Sequence, residues 1–261
     1  MSDHYFARKR MRTLFYCLLL LVMTAAAIVI TEFDVVTGFT SIPQAAIWVF
    51  DHFYPDAKAM KRLPDIIDSL IETILVSVAA TTVAALFALI FAMAGSITTG
   101  RGGIFSVISR SVATVFRNID VAAWSMILLI SFGQNVLTGY LALFFGSFGF
   151  LTRAFIETID EMSNSSVEAL KSTGAGYLTI MAQSVIPSCI PQLISWVLFM
   201  METNIRQATL IGILTGTGIG FLFSLYYKSL DFHSASLIVI ALVLTIAVFE
   251  TVSNYIRKVI M

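Results

Sequence analysis

An all-α integral membrane protein with six transmembrane helices is the fold class this sequence predicts, and three observations predict it. Hydrophobic residues make up 58% of the 261 positions and charged residues only 12%, where a soluble domain carries roughly a quarter charged. The mean hydropathy is +0.89. The apolar residues also gather into runs as long as the ~20 residues a bilayer-spanning helix needs. Lipid offers no water to backbone N–H and C=O groups, so each run must satisfy them internally as a helix.

The runs fall near 13–31, 69–97, 104–132, 136–156, 190–214 and 235–255. The first follows the basic "RKRMR" and contains Ala25-Ala26-Ala27, as a cleaved signal peptide would. The triplet lies inside the apolar run, which continues through Ile28-Val29-Ile30, so a retained helix is expected. Residues 1–68 then read as a cytoplasmic tail, a first helix and an outward loop, 32–68, and residues 69–261 as the membrane core.

Basic residues orient the spans, because cytoplasmic flanks carry the excess of Lys and Arg. Arg8, Lys9, Arg10 and Arg12 precede run one, Arg101 and Arg110 flank the second turn, Arg153 and Lys171 follow run four, and Arg257 and Lys258 follow run six. Six spans with both termini cytoplasmic place all of these inside. Lys58, Lys61, Arg62 and Lys228 fall outside, offset by Asp51, Asp56, Asp65, Asp68 and Asp231. The longest cytoplasmic loop is then 157–189.

Polarity enters the membrane in two places. Run three is interrupted by Arg117-Asn118-Ile119-Asp120, and run five ends in "ETNIRQATLIGILTGTGIGF". Ionisable residues in a span usually face protein or a water-filled cavity. Glu202 and Arg206 stand i, i+4 with the acid first, the favourable order for a helical ion pair, with Asn204 between them. Gly212, Gly216, Gly218 and Gly220 weaken a continuous helix, and broken helices with polar residues are a common way to build a transport path. Arg117, Asn118, Asp120, Glu202, Asn204, Arg206, Gly218 and Gly220 are therefore the candidate pathway residues. Structural readings stand beside this one: Arg117 with Asp120 as an interfacial packing pair, Glu202 with Arg206 as an interhelical tether, the glycines as sites of close packing.

Several chemistries have no signature here. There is no phosphate-binding glycine loop ending in lysine and a hydroxyl residue, no paired-histidine zinc motif and no glycine-flanked nucleophilic serine. Cys17 and Cys189 lie far apart in apolar surroundings and read as small apolar residues. His4, His52 and His233 form no ligand cluster, so no metal site is expected. Charges balance at 16 and 16, without a basic face for nucleic acid. An enzyme would need a nucleophile and base that the sequence does not offer.

The polar segment 167–187, "VEALKSTGAGYLTIMAQSVIP", carries a family resemblance. Glu168-Ala169-Leu170, three further residues, Gly174, and Pro187 nineteen positions after the glutamate with Ile186 before it resemble the "EAA" loop of ABC importer permeases. Ser184 replaces the isoleucine usual three before the proline. In that family the loop is a short helical hairpin that docks on a cytoplasmic ATPase, so the resemblance assigns ATPase coupling to Glu168, Ala169, Leu170, Gly174, Ile186 and Pro187. Simple physics is compatible: Glu168 suits a helix start, Gly174 a turn, and Pro187 a helix entry.

"RNIDVAAW", "VEALKSTGA", "DHFYPD" and above all "ETNIRQATLIGILTGTGIG" look like the permease subunit of phosphonate ABC importers, over nearly the whole chain. Glu202, Asn204, Arg206, Ala208, Thr209, Gly212, Gly218, Ile219 and Gly220 fit that pattern. Thr215 and Thr217 stand where glycine is usual, and Asp120 where proline or a polar residue is. The resemblance implies the type I ABC importer permease fold in a bacterial cytoplasmic (inner) membrane, with lipid around it. It implies a second copy of the chain, two copies of a separate ATPase holding ATP and Mg, and an extracytoplasmic phosphonate-binding protein, with no cofactor on this chain. A permease of this architecture for methionine or phosphite, or an ion-driven secondary transporter, is the competing expectation.

Overall fold

The computed structural model describes residues 2–97, 103–162 and 164–260; Arg101, used above to orient the spans, lies outside them. The chain divides into two units, Met1–Tyr54 and Pro55–Met261. In the first, α1 (Ser2–Ile30) is one long apolar helix, of the length and composition that can cross a bilayer. It is followed by α2 (Val35–Thr40) and α3 (Ile42–His52). The Asp34 carboxylate caps α2, accepting the Val36 and Thr37 N–H groups at 3.0 and 3.1 Å, a common N-cap arrangement.

The second unit holds the remaining helices. A short α4 (Ala57–Met60), capped by Asp56, leads into α5 (Leu63–Gly95). The stretch 32–68, expected as a loop, is thus largely helical, and α5 starts six residues before the apolar run. Pro64 in its first turn and Asp65 beside the positive end of the helix dipole explain the early start. At 1.5 Å per residue, α5 is about 50 Å long, more than the ~30 Å hydrocarbon layer, so its polar first turns have room beyond the apolar zone.

Run three is two helices, α6 (Ile104–Asn118) and α7 (Val121–Phe132), bent by 90°. Next come α8 (Val136–Met162), α9 (Asn164–Ser172), α10 (Tyr177–Ile180) with a π-helical turn over Met181–Val185, α11 (Ile186–Thr215), α12 (Gly218–Lys228) and α13 (Phe232–Ile260). Among the described residues five helices are long and apolar enough to cross a membrane, six if the bent pair counts as one span. No strand occurs among the described residues.

Helix α8 is the centre of this unit, packed on by α5, α6, α7 and α11. Small residues set how closely they approach. Ala80, Ala84, Ala88 and Ala92 recur every fourth position on α5 and are fully buried, presenting a smooth stripe for a neighbouring helix. On α8, Gly149 lies so close to α6 that an added Cβ would stand 2.6 Å from the Phe116 carbonyl carbon. Aromatic rings fill the angle of the bend: Phe116 stacks on Trp124 across it at 5.2 Å, and Phe145 of α8 meets both rings.

Candidate functional site

Two regions collect the candidate residues. The first is the base of the unit, where the 157–189 loop folds as a hairpin. Its first arm is α9; its second, α10 and the π-helical turn, runs without a break into α11, so the helix expected from 190 begins at Ile186, with Pro187 in its first turn. Between the arms Gly174 adopts φ +78°, a left-handed conformation that only glycine takes cheaply. The Thr173 and Ala175 N–H groups return to the Leu170 carbonyl, both at 3.2 Å, closing the end of α9.

The hairpin is two-faced. Val167, Ile180, Met181 and Val185 are buried in one cluster with Ile156 and Ile159 of α8 and Cys189 of α11, and Leu170 and Ala175 pack on it. Glu168, Ala169, Gly174, Ile186 and Pro187 are exposed. The inner face thus ties the hairpin to two long helices, while the outer face is open for a partner.

Just above lies a second tie. Asp160 of α8 accepts the Ser96 hydroxyl and the Ile97 N–H at 2.5 and 2.8 Å, and pairs with Arg110 of α6 at 3.0 Å. Arg110 also donates to the Gly95 carbonyl. One carboxylate therefore fastens the end of α5 and the middle of α6 to the helix that carries the hairpin.

The second region is the polar stretch of α11 and its surroundings. Glu202 and Arg206 form the expected i, i+4 pair, with Arg206 Nη2 3.0 Å from Glu202 Oε1. The Glu202 side chain is 11% exposed and that of Arg206 47%, so the acid is inside and the guanidinium reaches out. Arg257 of α13 approaches the other oxygen, Oε2, at 3.9 Å. That third charge is 55 positions from Glu202, at a span end, and sequence reasoning assigned it to topology alone.

Asn204 points the other way and is fully buried. Its Nδ2 donates to the hydroxyls of Thr81 (α5) at 2.7 Å and Ser147 (α8) at 2.6 Å, joining three helices. Thr81 belongs to a hydroxyl ladder, Thr73-Ser77-Thr81, in which each hydroxyl donates to the carbonyl one turn back. The oxygens stay free to accept: Thr73 takes the Ile219 N–H at 2.9 Å. The spacing of four was the available signal for this stripe, and it was missed.

Helix α11 ends where the glycines cluster. Gly216 is left-handed at φ +71° and Gly218 lies at φ +58°. Thr215 and Thr217 bond each other through their hydroxyls at 2.9 Å. A Cβ on Gly220 would collide with the Thr209 carbonyl, and one on Gly218 with the Thr73 hydroxyl, so both glycines permit α12 to fold back against α11 and α5. The amides of 216 and 217 bond to the Gly212 carbonyl, and that of 219 to Thr73; these three are occupied within the protein.

Arg117 and Asn118 close α6 and are exposed. Asp120 caps α7, accepting the Ala122 N–H at 2.8 Å. Among the described residues no hydrogen bond or ion pair joins this bend to the Glu202–Arg206 group, so the two sets of candidates stand as separate places on the unit.

Comparison with known proteins follows the same lines. The family described as binding-protein-dependent transport system inner membrane component matches residues 84–260. The phosphate-import permease protein PhnE of Mycolicibacterium smegmatis is 27% identical over 73% of this chain, which spans only 36% of that protein. The phosphite transport system permease protein PtxC of Stutzerimonas stutzeri is 24% identical over 86% of this chain and 81% of its own length. Among solved structures, an amino acid ABC transporter superposes with a TM-score of 0.67 at 17% identity, covering 78% of this chain and 98% of that one. A methionine ABC transporter in an inward-facing conformation gives 0.62 at 16% identity, covering 76% and 98%; both likenesses are of fold. By a profile match over more than half its length, and with the helical architecture that match entails, the chain belongs to the binding-protein-dependent transport system inner membrane component family.

Proposed function

We propose that this chain is the membrane-spanning subunit of an ATP-driven importer that carries a phosphonate, or a closely related phosphorus oxyanion such as phosphite, into the cytoplasm. Two copies would form the pathway, and an extracytoplasmic binding protein would deliver the cargo. A separate ATPase pair, holding ATP and Mg, would grip the outer face of the α9–α10 hairpin through Glu168, Ala169 and Gly174. Binding energy released there would pass through the hairpin's buried face into α8 and α11.

The observation that carries the cargo class is Arg206, a half-exposed guanidinium on a membrane helix. A planar cation with a fork of donors suits an oxyanion, and an ionisable group on a spanning helix is a functional-site hypothesis in itself. The relatives, phosphate-import and phosphite permeases, support phosphorus over methionine, since the likeness to the methionine transporter rests on fold. An ion-driven carrier would have no use for the coupling hairpin.

The test is uptake of labelled methylphosphonate by the assembled complex in proteoliposomes. Arg206→Ala should lower uptake at least about tenfold, the worth of one charge-assisted hydrogen bond, with assembly unchanged. Uptake at the wild-type rate would remove Arg206 from the path.

A further inference from the structure

Glu202 serves two guanidinium groups with one carboxylate, and serves them unequally. Oε1 lies 3.0 Å from Arg206, a hydrogen-bonding distance, whereas Oε2 lies 3.9 Å from Arg257 Nη2, within ion-pair range but too long for a hydrogen bond. Arg257 donates from Nη1 to Asn254 Oδ1 at 3.4 Å. Its Nε and Nη2 are buried and have no hydrogen-bond partner among the described residues. The group carries one negative and two positive charges. The satisfied guanidinium is the exposed one, and the unsatisfied guanidinium is the more buried, at 24% against 47% side-chain exposure.

That distribution runs against the cost of desolvation, because a buried charged donor without an acceptor loses more than an exposed one that water can serve. We propose that Glu202 is an exchangeable counter-ion: when an oxyanion takes the Arg206 guanidinium, the carboxylate turns to Arg257, and it returns to Arg206 as the anion leaves. The proposal rests on the reading of Arg206 as a cation of the anion path. A shift of about 1 Å in Oε2 brings it from 3.9 Å to ordinary hydrogen-bond length, which a side-chain rotation supplies without moving either helix.

The exchange explains how one site both takes and releases an anion. An arginine without a competing carboxylate would hold the anion through its full charge, and an arginine locked to its own carboxylate would not engage it. With Arg257 as the alternative partner, the carboxylate's negative charge is never left unpaired, so uptake and release are both shallow steps. Arg257 is then a positioning residue, acting on the anion only through Glu202.

The experiment uses the complete complex in proteoliposomes, with labelled methylphosphonate as probe and methylphosphonate delivered per ATP hydrolysed as the first readout. Arg257→Gln traps Glu202 on Arg206, and the ratio should fall about tenfold or more; a purely structural loss would reduce transport and hydrolysis together and leave the ratio unchanged. Glu202→Gln removes the charge that competes for Arg206, so retention of methylphosphonate by the complete complex, read by equilibrium dialysis, should rise. The double variant should behave as Glu202→Gln alone, because without the carboxylate Arg257 has nothing to receive. Arg257→Lys keeps a cationic donor and should restore much of the ratio, which covers the case in which the glutamine variant fails to assemble. Additive effects in the double variant, or a wild-type ratio in Arg257→Gln, would overturn the exchange. If Arg206→Ala transports normally, the anion-path reading itself fails; if Arg206→Ala is inactive but Arg257→Gln is normal, only the exchange does.

Discussion

Asn204 offers a test of the three-helix junction whose size follows from its contacts. Its amide donates to Thr81 on α5 and Ser147 on α8, at 2.7 and 2.6 Å, in a fully buried position. Hydrogen bonds between membrane helices average about 0.6 kcal/mol and reach about 1.7, so losing both should cost about 1–3 kcal/mol. Asn204→Leu keeps the branched outline and leaves no cavity, but its bulkier methyl groups add a crowding cost to that loss. Thr81 still donates to the Ser77 carbonyl, so no donor on α5 is stranded. Asn204→Asp should be worse, because it removes both amide donors and buries a carboxylate. Thermal unfolding of the purified protein in detergent should rank the variants wild type, Leu, Asp. Asn204→Ala and Ser147→Ala combined in a double-mutant cycle should show a coupling of about 0.6 kcal/mol. Wild-type stability in Asn204→Leu, or strict additivity in the cycle, would refute the junction.

Two further expectations concern packing and acid. Gly149→Ala should cost about 1–3 kcal/mol, as overpacking does, because its Cβ meets the α6 backbone, whereas Gly176→Ala, with open space around it, should be near neutral; equal melting temperatures for the two would contradict the close α6–α8 approach. Asp231, just before α13, pairs with Arg62 at 2.7 Å, and Arg62 also lies over the Tyr226 ring. Partial burial opposes its ionisation, but the Ser234 N–H and hydroxyl, Arg62 and Lys58 outweigh that and hold its carboxyl below the ordinary range. With the folded value below the unfolded one, the folded state binds fewer protons between them. The stabilisation is complete above the unfolded value, about pH 4, and is lost as pH falls through the folded one. Melting curves taken downward from pH 6 should therefore fall more steeply for wild type than for Asp231→Asn, and parallel curves would show that the clasp contributes nothing.

Much of the fold was legible because membrane helices must be both long and apolar. Hydropathy, however, reports lipid contact rather than helix ends, so α5 and α11 extend into polar sequence at Leu63 and Ile186 that the apolar runs excluded. Asp34, Asp56 and Pro64 were the local signals that stretch 32–68 is helical. The break after Thr215 was readable from its glycines, and the turn at Gly174 from the spacing of the hairpin motif. The 90° bend was not, since its angle depends on Phe116, Trp124 and Phe145 meeting across three helices. Arg257 was hidden for a similar reason: a partner 55 residues away on another helix leaves no trace in local periodicity, and its place at a span end supplied a sufficient topological reason for a basic residue.

The central claim is that the hairpin at 168–187 is the handle by which a separate ATPase drives this chain. The most direct measurement is ATP-dependent methylphosphonate uptake by the assembled complex, compared between wild type and Gly174→Trp, in which a bulky side chain is forced onto a left-handed residue at the tip. Gly174→Trp should insert normally but lose ATP-dependent uptake. Undiminished uptake in Gly174→Trp, or wild-type uptake without any ATPase present, would contradict the claim.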